Sequence, residues 1–190
     1  MIYVIGMNDT VPADAIEVNT TSRSSEWKGL SPFHLGPCPL YDGLTSRNVE
    51  NLWQFSKVYA PHTDEAGEPT EEYWEWARKG WNDTWAHRYP MGKGAVPKYS
   101  LWDGRKYNYI DARKIIYLPS YRDAVKGSGA FGRLKELSGQ GKDIYLRDFD
   151  GYNHQDLGWS YDEVINCRSR KMGHAFILAM MLDNYYLTRT

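Results

Sequence analysis

Hydrophobic and polar residues alternate loosely over residues 1–9 (MIYVIGMND) and end in a turn signal, which predicts a short strand. A second short strand is expected over residues 15–19. The polar run 20–25 and the proline-containing stretch 30–43 read as ordered irregular loop. The clearest helical period follows. Val49, Leu52, Trp53 and Ser56 stand at i, i+3, i+4 and i+7, with Ser46 as the expected N-cap and Pro61 as the expected stop. Thr70-Glu71-Glu72 opens a second helix whose apolar stripe is Tyr73, Ala77, Trp81 and Trp85, its first-turn carboxylates suiting the positive end of the helix dipole. Residues 88–108 are rich in Gly, Pro and basic residues and read as loop. Residues 112–118 fit strand or helix, and Pro119 is expected to reset the chain. Helical pieces follow over 121–125 and 131–137, and a helix apolar nearly all round over 171–186. The sum is an α+β, mostly helical, single domain, as a length of 190 residues also suggests.

Composition narrows the function classes. Lys plus Arg number 23 against 24 Asp plus Glu, so the chain lacks the bulk positive charge of a duplex DNA binder, although a local patch is compatible with these numbers. No apolar run reaches the roughly 20 residues of a membrane span, and the first residues do not resemble a secretory signal. Cys38 and Cys167 stand far apart, which excludes a disulfide framework and a Cys-rich zinc site. The expected location is the cytoplasm. The unusual feature is 8 Trp and 15 Tyr against 5 Phe. Such residues either build an aromatic core or line a cleft that stacks a planar ring.

Most motif-like strings fail on context. Gly127-Ser128-Gly129-Ala130-Phe131-Gly132 spells GxGxxG, but a charged, helix-like segment precedes it where a dinucleotide site needs a strand. Residues 148–156 are dense in Asp and Asn, yet the Gly and Glu positions of a calcium loop are absent, and Asx turns are the default. The five histidines never pair at i, i+4, and no GxSxG occurs. No cofactor is expected. What stands out is Glu50, Gln54 and Lys57 at i, i+4 and i+7, one stripe of the first helix. A solvated face would look the same. The flanking Leu52, Trp53, Phe55 and Val58 leave little helix for solvent, however, and an enclosed lysine and carboxylate would suit attack on a carbonyl-like carbon.

The segment Leu30-Ser31-Pro32-Phe33, then Tyr41-Asp42-Gly43, then the run from Val49 to Lys57 resembles the NADAR superfamily, the YbiA-like N-glycosidases. That family reads L-S-N-F, an apolar stretch with D-G, then V-E-H-x-x-Q-x-x-K, and Glu50, Gln54 and Lys57 keep register with its polar positions. The runs 134–139 and 170–178 resemble its late L-x-x-T-G turn and closing helix. Pro32, Asn51, the Gly158-Trp159 order and Arg170 depart from the pattern, and residues 65–110 have no counterpart in it. Such departures mark a divergent branch, expected to be of phage or mobile-element origin. The resemblance implies cleavage of an N-glycosidic bond to ribose in an ADP-ribosylated or phosphoribosylamine-like substrate, an ADP-ribosylated nucleobase among them. Lys57 would be the nucleophile and Glu50 the proton carrier. Gln54 and Ser31 would contact substrate, and Phe33, Trp53 or Trp159 would stack on the base. Arg23, Arg88 or Lys93 would meet phosphates. Two rivals stay open: a non-catalytic binder of ADP-ribose-like nucleotides, and a nucleic-acid-interacting protein using the basic aromatic stretch 88–109.

Overall fold

Short alternating segments make the strands β1 (Ile2–Ile5) and β2 (Ile16–Asn19), as the hydrophobic pattern predicts. A 3-10 turn (Lys28–Leu30) leads to the two-residue strands β3 (Cys38–Pro39) and β4 (Thr45–Ser46) and to helix α1 (Val49–Phe55). Strand β5 (Lys57–Val58), a 3-10 turn (Ala60–His62) and helix α2 (Glu71–Asn82) follow, then β6 (Tyr99–Trp102) and β7 (Arg105–Tyr107). Helix α3 (Tyr109–Ala112), a π turn (Arg113–Tyr117) and α4 (Leu118–Val125) come next, then α5 (Gly129–Ser138), β8 (Ile144–Arg147), α6 (Tyr161–Asn166) and α7 (His174–Leu182). This is a mixed α+β protein. The computed structural model describes residues 1–185, so Tyr186, the expected end of the last helix, lies outside the described residues. No helix among those residues is long and apolar enough to cross a membrane.

The chain contacts itself as two units, one of residues 1–31 with those from 121 onward, the other of residues 32–120. The first is built on a parallel sheet in the order β1-β8-β2, with Ile144 in register with both Ile2 and Ile16. Val4, Val18, Ile144 and Leu146 are fully buried in it, and α7 packs on β1 and β8. Because α7 is buried from His174 to Met180, its sequence shows no polar face.

The second unit carries a three-stranded antiparallel sheet, β5-β6-β7, and a core of Phe55, Val58, Tyr73, Ala77, Trp81 and Leu101. Trp74 and Trp76 pack against this core half-buried, and Trp81 is fully buried. Most of the aromatic load of α2 is therefore packing. Trp85 is not: it lies beyond the helix and is 74% exposed.

Several sequence expectations need correction here. Asn48, not Ser46, caps α1: its side chain accepts from the Asn51 N–H, while Ser46 sits in β4 and donates to the Asn48 carbonyl. The helix ends at Phe55, not near Pro61, because Ser56 turns its hydroxyl back to the Leu52 carbonyl and residues 57–58 pair with β6. The 88–108 segment is not all loop, since it contains the β6–β7 hairpin. Asp103 and Gly104 take φ of 48° and 70°, the left-handed pair that a two-residue primed turn demands. Pro119 does not reset the chain. Having no N–H and a ring that crowds the preceding turn, it sits just after a π turn in which the Leu118 N–H reaches the Arg113 carbonyl. Strand β8 and helix α6 were not expected at all.

Candidate functional site

The chemistry of the second unit collects on α1. All seven of its residues are buried, including the polar Glu50, Asn51 and Gln54. Burying polar side chains costs free energy unless they are hydrogen-bonded. Two backbone bonds fix the start of the helix, from the Val49 N–H to the Leu35 carbonyl and from the Glu50 N–H to the Pro32 carbonyl. The Leu-Ser-Pro-Phe segment is thus tied to α1 through Pro32. Glu50 lies in the first turn, where the positive end of the helix dipole favours a carboxylate.

Glu50, Gln54 and Lys57 form one hydrogen-bonded chain. Lys57 donates from Nζ to Gln54 Oε1 at 2.8 Å, and Gln54 donates from Nε2 to Glu50 Oε1 at 2.9 Å. The amide orientation follows from its two neighbours, because only the oxygen can accept from an ammonium and only the nitrogen can donate to a carboxylate. The sequence places these three residues on one helical stripe; in the structure Lys57 opens β5, opposite Ser100. Its amine also lies 4.6 Å from the centre of the Trp53 ring, a cation–π contact. Trp53 in turn packs on Tyr117 of the π turn, ring centres 5.1 Å apart. One face of α1 and the last turn before Pro119 therefore frame the lysine. Of the other expected contacts in this unit, Phe33 is half-buried in the segment tied to α1, and Arg88 and Lys93 stand beyond α2.

One residue of this region, Arg113, was missed in the sequence, and a second, Asn51, was noted there only as a departure from the family pattern. Arg113 is 2% exposed and sits in the π turn, its guanidinium 4.6 Å from the Tyr109 ring centre. Arginine is almost never fully buried unless paired, and π turns recur at functional sites. No local signal marks it, since Asp111 and Lys114 stand beside it in the same run. Asn51 stands where the resembled family has His, and it is spent on structure. Its Nδ2 donates to the Asp83 and Trp85 carbonyls, and its Oδ1 accepts from the His87 N–H.

Ser31, Arg23 and Trp159 belong to the first unit. Ser31 is buried and closes the 3-10 turn after Leu30. Arg23 lies over Phe149, 4.9 Å from the ring centre. Trp159 meets Tyr152 edge-on at 6.2 Å, and Arg170 lies over both rings. The acidic run 148–156 behaves as Asx turns, with Asp148 and Asn153 accepting backbone N–H groups two residues on. Asp148 also takes the Ala175 N–H at the start of α7 and faces His174 Nδ1 at 3.1 Å. No group of three His, Cys, Asp or Glu side chains among the described residues is placed to hold a metal ion.

Fold and site together define an α+β protein whose buried first helix supplies a carboxylate and an amide, hydrogen-bonded in a chain to a half-buried lysine on the next strand. The chain belongs to the family described as "Family of unknown function (DUF6939)", whose model matches residues 6–158. No curated protein matches the sequence.

Proposed function

We propose that this protein is an N-glycosidase-type hydrolase that cleaves an N-glycosidic bond to ribose in an ADP-ribosylated or phosphoribosylamine-like substrate. The observation that carries the reading is the Glu50–Gln54–Lys57 hydrogen-bonded chain, which runs from a buried helix to the strand that follows it. The resemblance of the Leu30-to-Lys57 motifs to the NADAR superfamily supports it.

In this scheme Lys57, as the free amine, attacks the anomeric carbon with its lone pair. The C–N bond to the base breaks, and the leaving nitrogen keeps the bonding pair and takes a proton from Glu50. Glu50, now a carboxylate, takes a proton from the attached nitrogen and passes it to the ring oxygen, which departs from the same carbon with its bonding pair and leaves a protonated Schiff base between Lys57 and the opened ribose. Water adds to the imine and releases the sugar aldehyde with the amine restored. The Trp53 face and the Gln54 carbonyl both attract an ammonium, so the proton must leave Lys57 before attack. A carboxylate two hydrogen bonds away is its nearest acceptor within the chain, and a protonated Glu50 is the form the leaving nitrogen needs.

Borohydride reduction of the protein with ADP-ribose, followed by peptide mass spectrometry, tests the covalent step. A reduced adduct on Lys57, absent from Lys57→Arg, is the expected result. Adducts spread evenly over exposed lysines, or release of free base from an ADP-ribosylated nucleobase by Lys57→Arg at the wild-type rate, would overturn it. Nucleotide-induced thermal stabilisation without adduct or product would identify a binder instead.

A further inference from the structure

The loop after α2 combines firm anchoring with exposure. Asn51, fully buried, holds the backbone at Asp83, Trp85 and His87 through three hydrogen bonds of 2.8–3.0 Å. Asp83 adds two more, accepting from the Trp85 N–H at 2.9 Å and pairing with His87 Nε2 at 2.8 Å. The His87 ring meets Phe55 edge-on. A loop tied at five points would ordinarily serve packing, yet it presents Trp85 at 74% exposure and, four residues on, Tyr89 at 41%. A loop whose backbone is already fixed while its aromatic rings are bare to water loses little backbone entropy on binding.

Charge identifies the occupant. From Thr84 to Trp102 the formal charges are those of Arg88, Lys93 and Lys98, with no carboxylate among them, in a chain whose net charge is −1. The nearest acid in sequence, Asp83, is engaged by His87, whose hydrogen bond holds its carboxyl below the ordinary range. Flat rings interleaved with cations and free of acids suit bases and phosphates in alternation. A duplex hides its base faces in the stack, so exposed rings favour an unpaired strand.

We infer that the segment 84–98 is a docking surface for single-stranded nucleic acid, with Trp85 and Tyr89 stacking on bases and Lys93 meeting phosphate. The surface lies within the 65–110 stretch that has no counterpart in the resembled family, and it does not depend on the proposed reaction.

Fluorescence anisotropy of a labelled oligothymidine, titrated at several salt concentrations, tests it. Trp85→Ala, at an exposed position and checked for folding by thermal melting, should weaken binding about 5- to 150-fold. Lys93→Gln should flatten the slope of log affinity against log salt by about 0.7. Lys57→Arg should bind as the wild type does, which separates this surface from the glycosidase reading. Binding unaffected by Trp85→Ala, preference for duplex, or equal Trp85-dependent binding of polyglutamate would overturn the inference, the last pointing to an acidic protein partner.

Discussion

Lys57 and Gln54 are joined by a 2.8 Å hydrogen bond although one opens a strand and the other lies on a helix. The bond crosses the turn at Ser56, whose hydroxyl and carbonyl are both engaged, by Leu52 and by the Leu101 N–H. The lysine is therefore placed by the sheet and aimed by the helix. A change in Gln54 should disturb stability and chemistry together. Gln54→Leu removes the acceptor of Lys57 and a donor to Glu50, at a cost of about 1–3 kcal/mol as buried partners lose their bonds. Urea unfolding at neutral pH measures it. A variant as stable as the wild type would mean that water replaces both bonds.

Glu50→Gln separates the carboxylate's charge from its shape. The amide oxygen still accepts from Gln54, so the helix should remain intact, but no proton can be stored or delivered. Under the proposed reaction, turnover should fall by about 10²–10⁴, the range general acid–base catalysis supplies, with substrate affinity largely kept. Steady-state rates and a thermal shift with nucleotide separate the two effects. Wild-type turnover in Glu50→Gln would remove Glu50 from the chemistry.

The parts of this protein legible in sequence are those whose information is local. Helix α2 shows the 3.6 period because it buries one stripe, the run 49–55 shows it in its apolar residues although the whole helix is buried, and β1 and β2 show alternation. Strand β8 escaped because Ile144-Tyr145-Leu146-Arg147 is four residues between a glycine-rich turn and an acidic one, and only its two parallel neighbours make it a strand. The β6–β7 hairpin carried its signal in Asp103-Gly104, which the basic and glycine-rich flank obscured. At the candidate site the sequence offers Glu50, Gln54 and Lys57 as one stripe, but not the hydrogen-bonded geometry that joins them. The period places Lys57 on the helix, because nothing local announces that Ser100 will pair with it. Arg113 shows the same limit from the other side, since burial of a charge is settled by tertiary contacts.

Gly80 tests how tightly α1 and α2 are packed. A Cβ there would lie 2.1 Å from the Phe55 ring. That ring is itself 4% exposed and hemmed in by Trp76, centre to centre 4.5 Å. Alanine would gain about 1 kcal/mol from helix propensity. Overpacking of this kind costs about 1–3 kcal/mol, and a buried ring wedged by a tryptophan has little room to retreat. Gly80→Ala should therefore destabilise on balance, lowering the melting temperature by about 2–4 °C for each net kcal/mol. A stabilised variant would show that Phe55 can turn aside and that this packing is loose.

Stability should decline on the acid side of neutrality, for reasons carried by two histidines. His62 is 9% exposed, ringed by Tyr59, Tyr73 and Trp76, and His154, 4% exposed, stacks on Tyr161. Burial holds both imidazoles below their ordinary value of 6.5, against the weaker opposing pull of Glu72 and Asp183 respectively. A depressed histidine favours the folded state in its neutral form. The contribution is thus complete above pH 6.5 and is lost as pH falls from there through the folded value, because the unfolded chain takes up the protons first. Glu17 adds a second loss at lower pH. The hydrogen bond from Arg147 holds its carboxyl below 4.5, so that contribution fades as pH falls beneath the ordinary glutamate range. Melting temperatures measured from pH 8 to pH 5, and again below about 4.5, should show two descending steps. In His62→Phe with His154→Phe, both rings still pack but neither titrates, so the first step should flatten and the second persist. An unchanged first step in that double variant would assign the acid sensitivity to other groups.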